Sequence, residues 1–382
     1  MSLTLQVVTR EQQIGEIRQA WSELAPTPMQ SPEWMLGWWL AYKSSNMQLN
    51  ILVARDQAGA VVSLLPFYHH DSWSKGSALR FLASQHACSD YQTVLARPEH
   101  KLDAIDLFGD WLADSAGRGE WGYCEMDGVS EADKSIGKLC NFLHRHDVLL
   151  RSKQIEKTWV VDTSKGWSQC LANMSKTQRK QSRNLLNRLD KSDTMEITEH
   201  TDASEMPRAT RELIELHQAR WTTAGKAGCF ADEKFSKFLL ASCQALSLRG
   251  NCTIRTLRVD GKAAASHILL HDKNRYYMYQ AGRDPRLDSM RVGRILNLQT
   301  IRMLSERGAE CMDFLRGDEI YKSRLAGQPI ALYRLRMVAP DARHRLQDAS
   351  STVGRNVKRT AEILSATSGS GVRNVANIPV TK

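Results

Sequence analysis

Apolar positions recur with a helical period near the start of the chain. Within residues 11–24, Ile14, Ile17, Trp21 and Leu24 share one side of a helix. Ser31-Pro32-Glu33 then supplies an N-cap, a proline at the first helical position and an early acid ahead of WMLGWWLAYK. This predicts a second helix, with Trp34, Trp38 and Trp39 as core residues. The period shortens to two in LNILVAR (49–55) and AVVSLLPFY (60–68), joined by a short turn-rich connection, which predicts a hairpin. A helix over 101–115 and a strand over 122–129 follow.

The same succession returns further on. Two strands over 251–272 surround Asp260-Gly261, a strong two-residue turn signal, and a third strand covers 275–284. Residues 291–308 form a helical face from Ile295, Leu298, Ile301 and Leu304, closed by Gly308. Strands over 311–315 and 331–338 complete the series. FGDWLADSAGRGEWGYCEMDGV (108–129) and LQTIRMLSERGAECMDFLRGD (298–318) both run helix, glycine, short strand, acid and glycine. The pattern predicts a duplication: an α/β (α+β) chain of two units, each a mixed, mostly antiparallel sheet flanked by helices.

A length of 382 residues exceeds the usual single core, in keeping with that division. The expected organisation is an N-terminal domain over 1–155, a C-terminal domain over 156–338 that opens with a basic helix over 167–191, and a basic helical or disordered tail over 339–382. Residues 175–191 hold six Lys or Arg against one Asp, and the whole chain carries +10. Such charge points to an anionic partner: nucleic acid, a phosphorylated small molecule or an acidic surface. The basic helix lacks interleaved aromatics, which argues against nucleic acid. On that helix Lys176, Arg179 and Arg183 recur at three- and four-residue spacing and are candidates to hold an anionic acceptor; a merely solvated face is the alternative.

Eight cysteines show no CxxC spacing, and no histidine completes a metal set, so thiols of a reducing compartment and no bound metal are expected. The first residues lack the basic and apolar regions of a signal peptide. The longest apolar run, 34–42, falls short of the ~18–20 residues a membrane span needs. A cytoplasmic protein is expected.

Candidate chemistry gathers in two places. A helix beginning near Arg291, Val292, Gly293 and Arg294 offers free backbone N–H groups, positive charge and a close approach to phosphate. The second place is DFLRGDEIYKSRLAG (313–327). Acyl transfer to an amine needs a base, because the free amine is mostly protonated at neutral pH, and it needs a proton or positive charge for the leaving group. Asp318 or Glu319 is a candidate base, Tyr321 a proton donor, and Lys322 a charge stabiliser. Arg316 either pairs with Asp318 or holds a substrate anion. A surface loop whose opposite charges pair is the competing reading. His267 is a base candidate or a hydrogen-bonded sheet histidine. Trp221 ends a helix before a glycine-containing segment, 222–228, that is either a lid over the acceptor or an ordinary connection.

The early SPEW and WW, the helix SKTQRKQSRNLLNRL, the hairpin VDGKAAASHILL, YYMYQAGRDP and above all DFLRGDEIYK resemble the CelD/BcsL-type, cellulose-biosynthesis-associated GNAT-like acetyltransferases, distant relatives of the Fem peptidyltransferases. The resemblance spans most of residues 15–338. It implies two fused GNAT-like folds, acetyl-CoA or another acyl-CoA as donor (an acylated carrier being the other), and donor contacts from Tyr279, Gln280 and Ala281. The loop 286–294 would face the pyrophosphate; it holds one glycine, Gly293. The implied function is acyl transfer to an amine or hydroxyl of an anionic acceptor in polysaccharide or cell-envelope biosynthesis, alongside polysaccharide-synthesis proteins. The alternative is a non-catalytic, ligand-binding subunit of a glycan-synthesis machine.

Overall fold

The computed structural model describes residues 2–341 except 74, 75 and 273, so nearly all of the tail expected over 339–382 lies outside the described residues. The first half contributes β1 (Thr4–Val8), α1 (Arg18–Leu24), α2 (Pro32–Tyr42), β2 (Met47–Arg55), β3 (Val61–Ser72), β4 (Gly76–Phe81), β5 (Leu95–Ala96), α3 (Lys101–Gly117), β6 (Tyr123–Ser130), α4 (Lys134–Arg145) and β7 (Leu149–Asp162). The second half contributes α5 (Trp167–Asn173), α6 (Lys176–Asp190), β8 (Met195–His200), α7 (Met206–Thr223), α8 (Glu233–Ser247), β9 (Cys252–Val259), β10 (Lys262–Asp272), β11 (Arg275–Arg283), α9 (Val292–Glu306), β12 (Cys311–Asp313), α10 (Ile320–Arg324) and β13 (Gln328–Val338). The basic stretch expected as one helix is two, α5 and α6. The second restarts at Ser175, whose hydroxyl accepts from the Gln178 N–H.

One mixed, mostly antiparallel sheet runs through the molecule in the order β1-β2-β3-β4-β6-β13-β7-β12-β11-β10-β9-β8. The halves repeat each other. β1 to β4 are antiparallel neighbours and β4 lies parallel to β6; β8 to β11 are antiparallel neighbours and β11 lies parallel to β12. The helix pairs α1/α2 and α7/α8 follow β1 and β8 respectively.

The closing strands are exchanged. β7 follows the first half but pairs with β12, while β13 follows the second half and pairs with β6. The two exchanged strands also pair with each other, from Gln328 opposite Val160 to Val338 opposite Leu149. The domain boundary expected between 155 and 156 therefore falls inside a continuous strand.

Ser31 caps α2 and Pro32 opens it, as the sequence requires. That helix is apolar on nearly every face because most of its faces are buried, although Leu40 stands exposed. Trp38 meets Tyr68 of β3, and Trp34 meets Phe238 of α8 edge-on at 4.8 Å. One hydrophobic core is thus shared by both halves, while α3 and α4 cover a second core and α5, α6 and α9 a third.

Candidate functional site: a cleft where the sheet parts

β11 and β12 run together only from Arg275–Cys311 to Tyr277–Asp313. Beyond Tyr277 the β11 edge has no strand beside it among the described residues. β12 ends two residues short of the expected strand because Leu315 takes a left-handed φ of 53° and turns the chain away. A bulge falls at the same level: Ile268 faces Gln280 and Leu269 faces Met278, leaving Tyr279 as the extra residue. The Tyr279 hydroxyl donates to the Ala87 carbonyl of the first half at 2.7 Å. The strands part around a cavity of about 560 Å³. Its walls come from Met278–Ala281, from 314–316 and from His86–Cys88 of the first half, with Arg220, Trp221 and Lys226 at the mouth.

The corner DFLRGDEIYK explains itself in this setting. Asp313 is fully buried, accepts the Leu315 N–H at 2.8 Å and the Tyr91 hydroxyl, and its carboxyl is pushed up to about 7 by burial. Lys322, 3 % exposed, donates to the carbonyls of Leu315, Arg316 and Gly317 at 3.3, 2.7 and 3.4 Å and pairs with Glu319 at 2.9 Å. Its ammonium clamps the loop and has little left for a substrate. Gly317 sits at φ 117°, and a Cβ there would come within 2.5 Å of the Glu319 carboxylate and 3.0 Å of the Lys322 Nζ. Only glycine fits.

Arg316 does not pair with Asp318. Its backbone N–H and its Nε donate to Asp90, at 2.8 and 2.5 Å, tying the corner to the first half. Asp318 points outward, 64 % exposed and 3.0 Å from Lys157, and lies away from the cavity. Tyr321 stays in place: it packs edge-on against Phe314 at 5.9 Å, and among the described residues its hydroxyl has no hydrogen-bond partner. Burial raises its pKa, so it remains a proton donor at neutral pH.

Tyr321 also lines two neighbouring cavities, of about 330 and 400 Å³, so the three meet at this side chain. Arg291, Val292, Gly293 and Arg294 line the first of these, at the start of α9. A Cβ on Gly293 would meet only Arg283, at 3.4 and 4.0 Å, so the backbone there is open. Arg291 and Arg294 also line the second, with Arg324, Gln178 and Gln181. Arg294 donates to Gln178 at 2.7 Å and Gln181 at 3.1 Å, with no acid as partner among the described residues. Its pKa is lowered by burial and by the charges of Arg291 and Arg324, as expected where cations converge without an anion.

Other expected residues are placed differently. His267 is wholly buried on β10, with Nδ1 3.3 Å from Asn297 and Nε2 3.2 Å from Thr300; burial pushes it down to about 3, and both ring nitrogens are occupied. It is the hydrogen-bonded sheet histidine, not a free base. Arg179 caps the end of α5 through the carbonyls of Leu171, Ala172 and Met174. Lys176 and Arg183 are exposed and line none of the three cavities. The face of α6 that meets the cleft is Gln178 and Gln181, which the charge pattern hid. Trp221 does reach the mouth: its Nε1 donates to His217 at 2.8 Å, and Arg220 and Lys226 lie 5.4 and 5.3 Å from its ring. His86 carried no sequence signal, being brought to the cleft by the fold alone, while Arg220 adjoins Trp221 and Arg324 lies within 313–327.

Residues 176–323 match the family described as an acetyltransferase (GNAT) domain. The second half therefore carries a GNAT-like acetyltransferase domain, and the cleft lies largely within it. The whole fold is similar to that of FemX, with a TM-score of 0.62 at 9% identity, covering 91% of this chain and 99% of that one. It is also similar to a conserved protein of unknown function from Bacteroides thetaiotaomicron, with a TM-score of 0.55 at 13% identity, covering 87% of this chain and 100% of that one. No curated protein sequence matches the chain.

Proposed function

We propose that the protein moves an acyl group from acyl-CoA, acetyl-CoA being the simplest, onto an amine or hydroxyl of an anionic acceptor. One observation carries this reading: the β11 edge, unpaired among the described residues, opens into a cavity adjoining Arg291, Arg294 and Arg324, which have no acid partner among the described residues. An open strand edge presents N–H and C=O groups to an extended chain bearing amides, which is the chemistry of the pantetheine arm. The arginines and the start of α9 suit its phosphates. In this reading Gln280 and Ala281 hold the donor arm and Tyr321 protonates the departing thiolate. Arg220, Lys226 and Trp221 face the acceptor. A role in polysaccharide or envelope biosynthesis rests on the resemblance to the CelD/BcsL-type proteins.

Acetyl-CoA titrated into the full chain is expected to raise the melting temperature, since a ligand at 100 times its Kd stabilises by about 2.7 kcal/mol. Arg294→Ala should weaken that binding roughly tenfold or more, the loss of one charge-assisted contact of about 1.5–3 kcal/mol. No shift with acetyl-CoA or CoA at millimolar concentration defeats the reading.

A further inference from the structure

Acyl transfer leaves one role unfilled, removal of the proton from the attacking group. We propose that His86, delivered by the first half of the chain, accepts that proton; this rests on the acyltransfer reading above. As the acceptor nitrogen or oxygen bonds to the acyl carbon, its proton passes to a His86 ring nitrogen. The carbon–sulfur bond then breaks, and Tyr321 protonates the thiolate.

The loop that carries His86 is strained and held. Ala83, Cys88 and Tyr91 all adopt left-handed φ, at 58°, 47° and 63°, although none is glycine. Such conformations persist only where the surroundings over-determine them, and they collect at working sites. Here the restraints come from both halves. Trp34 Nε1 donates to the Ser89 hydroxyl at 2.9 Å, and that hydroxyl donates to the Ala83 carbonyl at 2.8 Å. From the other half, Tyr279 holds Ala87 and Arg316 holds Asp90.

The result is a ring stacked on Tyr42 at 4.2 Å and 10°, exposed in the wall of the 560 Å³ cavity. Neither of its nitrogens has a hydrogen-bond partner among the described residues. The charged and titratable groups around it are Asp232, Lys234, Tyr42 and the Cys88 thiol. Burial holds the ring below the ordinary histidine value, so it is neutral and able to accept a proton at pH 7.

The rival bases are occupied. Glu319 is paired with Lys322 and Asp90 with Arg316, while His217 accepts from Trp221 through Nε2.

The test follows CoA release by the full chain from acetyl-CoA, with glucosamine 6-phosphate, glutamate, aspartate or water as acceptor, while acetyl-CoA binding is titrated separately. His86→Gln should lower kcat on the order of 100-fold with the acetyl-CoA Kd unchanged. It should also abolish the acidic limb of the pH profile, which in the unaltered protein lies below the ordinary histidine value. Imidazole should partly restore His86→Ala. An unchanged rate or acidic limb in His86→Gln overturns the assignment, as does acetyl-CoA binding without CoA release to any acceptor. Absence of acetyl-CoA binding overturns the acyltransfer reading as well, and the titration shows which of the two has failed.

Discussion

Asp313 shows how one residue links the two halves. Its carboxyl lies between Tyr91 of the first half and the Leu315 N–H of the second, without a cation bonded to it among the described residues. Burial raises its pKa from an ordinary 3.8 to about 7. A carboxyl raised on folding stabilises the fold below its ordinary pKa, and that contribution is lost as pH rises through about 7. Melting temperatures of the unaltered chain should therefore fall, relative to Asp313→Asn, between pH 4.5 and 7.5. Parallel curves for the two proteins would show that Asp313 titrates normally. The sequence marked this corner as unusual but could not assign its charges. Arg316 finds Asp90, 226 residues away, and no local spacing encodes that pair.

Among the helices, the contact between α2 and α8 joins the halves most closely. A Cβ on Gly37 would stand 2.6 Å from the Ser242 hydroxyl oxygen. Gly37→Ala should cost about 1–3 kcal/mol in denaturant unfolding, the usual range for overpacking. Adding Ser242→Ala should recover much of the loss, because it removes the oxygen in the way. Equal stability of Gly37→Ala and the unaltered chain would mean the crossing is looser than the structure has it. The hairpin at Asp260-Gly261, the caps of α2 and the long face of α9 were all readable, since each depends on neighbours within a few residues. β7 and β8 were not. Their exposed and polar positions, as in RSKQIEKTW, break the alternation, and both are strands only because of their partners.

Across the whole molecule, exchange of β7 and β13 makes each half incomplete without the other. Fragments 1–155 and 156–338 are expected to be insoluble or unfolded when expressed apart, because the cut divides β7, leaves β6 with an open edge and strips β13 of β6 and of the first part of β7. The intact chain should unfold in one calorimetric transition. Two well-separated transitions, or a soluble folded fragment, would contradict the shared core. The cleft has the same dependence: its walls come from 86–88 on one side and 278–322 on the other.

By itself the sequence determined the helices and hairpins with local signals, the repeated order of elements, and the two stretches, 286–294 and 313–327, that border the cleft. Tertiary structure alone decided which of those charges are free. Lys322, Arg316, Arg179 and His267 are spent on carbonyls, an aspartate and buried neighbours, while Gln178, Arg220 and His86 are brought in from distant segments. The reason is physical: capping and periodicity act over one or two turns of chain, whereas burial and ion pairing depend on which strands the sheet places side by side.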